Sequence, residues 1–393
     1  MKNKKYFEIL FLFFFIILIH SYLPTIKETL SNIGSADFNW QPTKCVFEGI
    51  NHYSSYLIRD SKCLIFMSQL GEYAQGMYII LYPFSLLDWE MAKTSWLIIN
   101  ILLLLFIVYF LSKKNELDPI EILFVLFVTF YTIVTRVNFI MGQHTILILT
   151  FLSLPFIWKN KVTYIFSGVS YFKYHIGYGL FLFFLVSKKY KTLFLSLLPC
   201  IVGWLTYSFI TDTGLIENLF QPFNLALHNA EEGNVANNLF LFSFIKKIPF
   251  LSNFNYLIIL VLTLLFNVFF LIKIKQTSSD LLKLSLLGLL ILISTPHWGH
   301  DNILLIPFLI YTVKNYNQKK NLFRFNLFFT IYFLHLYKGI QDYSAKFLKL
   351  IELNNNIIEL SYLLFSYLNL AILIFLIIIN LNFHNKVKKY NNG

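Results

Sequence analysis

The chain has 393 residues, 57% of them hydrophobic and only 13% charged, with a mean hydropathy of +0.64. A soluble domain carries about a quarter charged residues, so too few polar side chains remain to cover a water-facing surface, and lipid must cover much of it. The formal charge of +12 does not indicate nucleic acid, because the lysines gather in short clusters at the ends of apolar runs, the positive-inside pattern of membrane proteins.

A spanning helix needs about 20 apolar residues, and such runs recur along the whole chain. After the basic start Lys2, Lys4 and Lys5, the run 7–26 reads as an uncleaved first span. It is long for a signal-peptide core, and the small-residue site Gly34-Ser35-Ala36 lies too far beyond it. Residues 27–75 form a first outer loop containing Cys45 and Cys63, which are open both to pairing in an oxidising compartment and to remaining free thiols. A short apolar run at 76–87 is interrupted by Pro83 and reads as a partial insertion. Helices are then expected at 93–112, 119–137, 139–158, within 162–186, and at 190–210. A large outer loop, 212–253, precedes further helices at 254–274, 280–296, 302–314, 321–338 and 357–383.

The lysine clusters set the topology. With the amino terminus inside, Lys113 and Lys114 fall inside, as do Lys159 and Lys161, but the next cluster, Lys188, Lys189 and Lys191, would fall outside. The segment between them has Lys173 at its middle, and a lysine at the centre of a simple span costs several kcal/mol. Two half-helices turning at Lys173 and returning to the same side put both clusters inside, and every later cluster through Lys386, Lys388 and Lys389 also becomes cytoplasmic. Irregular backbone at such depth is tolerated where it lines a cavity or is buried in protein. The expected fold is therefore an all-α polytopic membrane protein, one integral membrane domain over 1–393. It has about ten full transmembrane helices, a re-entrant hairpin at 162–186, and both termini in the cytoplasm.

This topology sorts the unusual polar residues to the outer face. They are Asp37 in the first loop, Arg136, Asn138, Gln143 and His144 at the outer ends of two spans, and Lys173 at the hairpin tip. Glu231, Glu232, Asn234, Asn237 and Asn238 lie in the large loop, and His297, Trp298, His300 and Asp301 form a tight turn between later spans. Polar residues brought to the membrane boundary by many separate segments are what a water-accessible site needs. Plainer readings stand beside this one: Asp37 as a solvated loop residue, Gln143 and His144 as satisfiers of a helix end, and the Glu pair as loop solubility. Lys173 is the hardest to dismiss, since a mid-segment lysine needs a partner. The His-x-x-His-Asp spacing is not a helical zinc spacing and lacks a third firm ligand, so no metal is expected.

Read in order, these residues resemble the polyprenol-phosphate-sugar-dependent glycosyltransferases of the alpha-mannosyltransferase type, glycosyltransferase family 87 of the GT-C superfamily. The aspartate-aromatic pair of the first outer loop is matched by Asp37-Phe38, and the Gly-x-x-Pro-Tyr element by Gly49-Ile50-Asn51-His52-Tyr53, with His52 where proline is usual. The Tyr/Pro-rich insertion is matched by Tyr78 to Leu87, followed by Ala92 and Trp96; the Gly-Gln pair opening a span is matched by Gly142-Gln143. The small-Gly-x(4)-Lys-aromatic hairpin is matched by Ser167 to Tyr174, the Asn-rich stretch by Asn234 to Asn238, and the Pro-His-Trp-x-His turn by Pro296 to Asp301. The resemblance runs from about residue 7 to 315.

It implies a GT-C-like helical bundle in the plasma (inner) membrane, with an active site on the outer face. There a sugar, mannose first among them, passes from a polyprenyl-phosphate donor to a glycan or glycolipid acceptor with inversion. Asp37 would be the general base, because an alcohol is a poor nucleophile at neutral pH and a carboxylate within reach helps most in the transition state. Lys173, with His297 or His300 and with Arg136 in reserve, would stabilise the departing phosphate. Asp301 would orient a histidine, Gln143 would hydrogen-bond sugar or phosphate, and Tyr53 and Asn238 would contact substrate. No cofactor is implied, the lipid-linked sugar being a co-substrate, and no nucleotide-sugar motif is present in the sequence. A flippase for lipid-linked saccharides is the rival class, but it calls for internal repeats and midplane polar residues; a polymerase of such saccharides would look to loop arginines, which 212–236 lacks.

Overall fold

Twenty-six consecutive residues without glycine or proline, Trp89–Lys114, form the longest helix described in the structure. The structure, a computed structural model, describes residues 16, 17, 19–57, 62, 63, 73–231, 256–295, 299–316, 320–336 and 367–383. Among them every regular element is helical and there is no strand. In chain order they are α1 (19–29), α2 (Trp40–Phe47), α3 (His52–Leu57), α4 (Gly76–Ser85), α5 (Trp89–Lys114), α6 (Pro119–Tyr131), α7 (Ile133–Met141) and α8 (Thr145–Ile157). Next come α9 (Lys161–Ser167), a 3₁₀ segment (Gly168–Phe172), α10 (Tyr174–Val186), α11 (Tyr190–Ile210), α12 (Leu215–Glu231), α13 (Tyr256–Lys275) and α14 (Asp280–Ser294). A second 3₁₀ segment (Gly299–Leu305) leads to α15 (Ile306–Lys314), α16 (Lys320–Ile331), a π turn (Tyr332–Leu336) and α17 (Tyr367–Phe383).

The chain divides into two compact units. One comprises Met1–Phe110, Thr135–Phe181 and Lys189–Val235; the other comprises Leu111–Val134, Leu182–Lys188 and Ala236–Gly393.

Among the described residues α5 and α11 are each long and apolar enough to cross a membrane, and the bent pair α6–α7 makes a third if counted as one span. On α11 the side chains of Phe194, Leu198, Ile201, Leu205 and Phe209 follow one another at steps of three or four and are all exposed, so they form one apolar stripe. Left in water, such a stripe forfeits about 25 cal/mol for each Å² of apolar surface, whereas lipid accepts it. Another face of α11 is packed: the Tyr171 and Ser196 hydroxyls lie 2.8 Å apart, and Gly203 meets the backbone of Gly76. The chain is a helical membrane protein.

Helix ends follow local chemistry. Asp118 accepts the Glu121 N–H at 2.8 Å while the Glu121 carboxylate takes the Asp118 N–H at 2.9 Å, with Pro119 at the first helical position of α6. Asn160 and Thr163 close α9 in the same way.

Several expected elements differ in extent. The 119–137 run breaks at Thr132, whose backbone is extended, into α6 and α7. The 139–158 run is helical up to Met141 and again only from Thr145, because Gly142 takes φ +65°. Pro83 does not interrupt α4, which continues to Ser85; the Trp40 indole N–H is shared by the carbonyls of Phe84 (2.9 Å) and Leu87 (3.1 Å) and ties down that end. The 212–253 segment contains α12 rather than irregular loop over Leu215–Glu231. Cys45 and Cys63, left open by the sequence, are joined in a disulfide with Cα atoms 5.6 Å apart. The count of ten full spans includes runs that lie partly outside the described residues.

In the second unit α14 is the core: Leu282, Leu286, Leu289 and Ile293 have no exposed surface. Two of its buried polar pairs are closed. The Ser294 hydroxyl donates to Asn267 Oδ1 at 2.6 Å, and Asn326 and Asn380 exchange amide hydrogen bonds at 2.9 and 3.2 Å.

Candidate active site

The first unit builds a polar site out of one loop docked on another. The backbone N–H of Ser35 donates to the Ile140 carbonyl at 2.7 Å, and that of Asp37 to the Met141 carbonyl at 2.8 Å. These two bonds lay the aspartate loop along the end of α7. Gly142 is required at the crossing: its φ is left-handed, and a Cβ there would sit 2.9 Å from the Phe38 Cβ and 3.1 Å from the Ser35 Cβ. Phe38 is fully buried and stacks on Trp96 with ring centroids 5.0 Å apart, while the Trp96 indole donates to the Gly142 carbonyl at 2.9 Å. The aromatic residue after Asp37 is thus the anchor that aims the carboxylate.

Asp37 is partly exposed, and its Oδ2 accepts a hydrogen bond from the Gln143 side-chain amide. Two residues on, the Thr145 hydroxyl accepts from Lys173 Nζ at 2.8 Å. Between them stands His144, the residue preceding α8, whose ring meets those of Tyr73 (4.7 Å), Trp96 (5.1 Å) and Phe38 (6.2 Å). Asp37, Gln143, His144, Thr145 and Lys173 therefore follow one another along a single short path, although Asp37 and Lys173 are 136 residues apart in sequence.

Lys173 sits in the break between the first 3₁₀ segment and α10, with φ −102° and ψ 79°. The chain turns sharply there. A Cβ on Gly177 would lie 2.5 Å from the Ser170 carbonyl oxygen, and the rings of Tyr171 and Phe181 are 6.4 Å apart. A continuous helix would hold residues ten apart at about 15 Å. The Phe172 carbonyl accepts from the Ala74 N–H at 2.9 Å, which joins the first 3₁₀ segment to the segment before α4.

Tyr53, expected at the substrate, is buried, and its hydroxyl donates to the Tyr73 carbonyl at 2.7 Å. Burial, followed by the neighbouring Tyr78, Tyr207 and Tyr174, holds that hydroxyl protonated well above the ordinary range. Tyr53 thus fixes Tyr73, whose ring lies edge-on to His144. His52 occupies the first position of α3, where a proline would fit, and its N–H donates to the Tyr207 hydroxyl at 3.0 Å. Burial pushes its imidazole pKa down to about 3. Arg136 is half-buried and within electrostatic reach of Tyr22. His300 and Asp301 belong to the second unit, where Nε2 and Oδ1 are 3.7 Å apart. Asn238 and His297 lie outside the described residues. Among the described residues, three or more His, Cys, Asp or Glu side chains do not gather at any metal-sized point.

Sequence reasoning passed over three contributors. Thr145 and Tyr73 carry no motif of their own. Lys93 is fully buried, donates to the carbonyl of Ser31 at 3.0 Å and pairs with Glu90 at 2.9 Å, holding the turn after α1. A lysine one turn inside an apolar helix was the signal that could have found it.

A helical membrane protein with a docked aspartate and a buried lysine fits enzymes that transfer groups at a membrane surface. The chain belongs to glycosyltransferase family 87, whose family model matches residues 73–296. It is therefore a membrane glycosyltransferase. Gln143, His144, Thr145 and Lys173 lie inside the matched segment; Asp37, His300 and Asp301 lie outside it. No curated protein and no solved structure matches the chain.

Proposed function

We propose that this glycosyltransferase moves a sugar, mannose foremost, from a polyprenyl-phosphate donor to a glycan or glycolipid acceptor on the outer face of the plasma membrane, with inversion. Asp37 is the general base. The acceptor oxygen forms its bond to the anomeric carbon as the bond from that carbon to the phosphate oxygen breaks. The hydroxyl proton passes to Asp37, and polyprenyl phosphate leaves with the electron pair. Lys173 offsets the growing negative charge where water is excluded.

The observation that carries this reading is the Asp37–Gln143 hydrogen bond, set two residues from the Thr145–Lys173 contact. It puts a partly exposed carboxylate and a buried ammonium along one path in one unit. The Cys45–Cys63 disulfide in the same loop as Asp37 supports an oxidising, outer location. The sharp turn at Lys173 supports a re-entrant hairpin, and the lysine clusters ask for a GT-C-like bundle of about ten spans with both termini cytoplasmic.

The test is transfer of radiolabelled sugar from a panel of polyprenyl-phosphate sugars to membrane lipids, comparing wild type with Asp37→Asn. Transfer that vanishes in well-inserted Asp37→Asn is expected. Transfer that survives discards Asp37 as base. No transfer from any donor, with saccharide-lipid crossing vesicle membranes instead, replaces the transferase reading with a flippase.

A further inference from the structure

Gln143 and His144 hold three buried polar atoms that no described residue satisfies: Gln143 Oε1 and both ring nitrogens of His144. His144 has no exposed surface and Gln143 only 4%. Buried polar groups are nearly always hydrogen-bonded, and each exception needs a cause. Packing is not the cause here. The His144 ring lies among Tyr73, Trp96 and Phe38, a setting in which a phenylalanine would bury the same shape without orphaned nitrogens. The position also matters, because the two residues occupy the step between the Asp37 and Lys173 contacts.

We propose that His144 is a substrate-recognition residue whose imidazole hydrogen-bonds a hydroxyl group of a sugar, with Gln143 Oε1 accepting from the same molecule. An imidazole with one protonated nitrogen offers one donor and one acceptor, and the amide oxygen adds an acceptor. A sugar hydroxyl both donates and accepts, so this set suits a neutral polyol better than a phosphate, which only accepts. The inference rests on the transferase reading and adds the contact by which the site distinguishes one sugar from another. A site with buried polar groups rejects an analogue lacking the matching hydroxyl, because those groups are then left unpaired.

The experiment uses the purified full chain in lipid nanodiscs. Polyprenyl-phosphate mannose and its monodeoxy analogues serve as donors, and an alkyl mannoside and its monodeoxy analogues as acceptors. Wild type, His144→Phe and His144→Gln are compared by kcat/KM and by thermal melting. Wild type should lose roughly 10- to 100-fold in kcat/KM on one deoxy position. His144→Phe should lose a similar factor on the full sugar and become indifferent to that position. It should also melt at or above the wild-type temperature, and His144→Gln should recover part of the loss. The deoxy position lying in the donor arm or in the acceptor arm identifies which sugar His144 holds. An unchanged deoxy profile in active His144→Phe overturns the assignment, as does a lower melting temperature with equal losses on every sugar. No transfer by wild type from polyprenyl-phosphate mannose overturns the donor reading beneath it, an outcome separate from either of those.

Discussion

Two buried polar clusters, one in each unit, differ in kind. In the second, Asn326 and Asn380 satisfy one another and Ser294 satisfies Asn267, so those amides knit helices together. In the first, Gln143 spends its amide N–H on Asp37 and keeps Oε1 unpartnered among the described residues, while His144 leaves both nitrogens so. Closed polar pairs stabilise a fold. Open ones destabilise it until a ligand closes them.

The sharpest attempt to break this contrast is Asp37→Asn, which keeps the shape and can still bond Gln143. Loss of a general base costs about 10²–10⁴-fold, so transfer should fall by about that factor in kcat with little change in melting temperature. A fall in stability with unchanged kcat would make Asp37 part of the architecture. Lys173→Met preserves the stem and removes the cation; kcat should drop about 10²–10³-fold, the loss typical for removing a stabiliser of transition-state charge. Measuring it with donors of different leaving-group acidity sharpens the point, since the deficit should shrink as the leaving group improves.

In the second unit the expectation reverses. Asn326→Leu strands Asn380 Oδ1 and should cost roughly 1–3 kcal/mol of stability, read by denaturation in detergent, with kcat unaltered. The double change Asn326→Leu with Asn380→Leu should restore most of that loss. A transfer defect in the double variant would erase the distinction between the two clusters.

The smallest effect concerns His52. Its pKa is about 3 in the folded chain against 6.5 ordinarily, so the unfolded state binds more protons between those values and stability rises with pH across that window. The contribution is complete above about 6.5 and is lost progressively as pH falls towards 3. Melting temperatures at pH 7 and pH 4.5 should differ less in His52→Phe than in wild type. An identical difference would assign the pH response to other groups.

Much of the architecture was legible because lipid imposes it. Runs such as 93–112 and 190–210 match α5 and α11 closely, since a backbone in hydrocarbon must satisfy itself as helix. The helix breaks at Lys173, while the re-entrant hairpin that lysine counting asks for stays a proposal. Pro83 misled, since a proline near a helix end costs one hydrogen bond without ending the helix. The start of α8 was misplaced because hydropathy is blind to the left-handed φ of Gly142.

The site was legible as residue types and opaque as contacts. Asp37, Gln143 and Lys173 stand out for polarity at the membrane boundary, whereas the bond from the Tyr53 hydroxyl to the Tyr73 carbonyl leaves no trace in the sequence. What the sequence by itself determined was the helical, membrane-embedded class, the family and the candidate residues, because hydropathy, charge placement and motif order are local or one-dimensional properties. Which of those residues meet, which polar atoms stay open and which cysteines pair were decided only by tertiary structure. Asp37 reaches Gln143 across 106 residues through a loop crossing that depends on one glycine's φ and one aromatic stack, and no linear pattern encodes that distance.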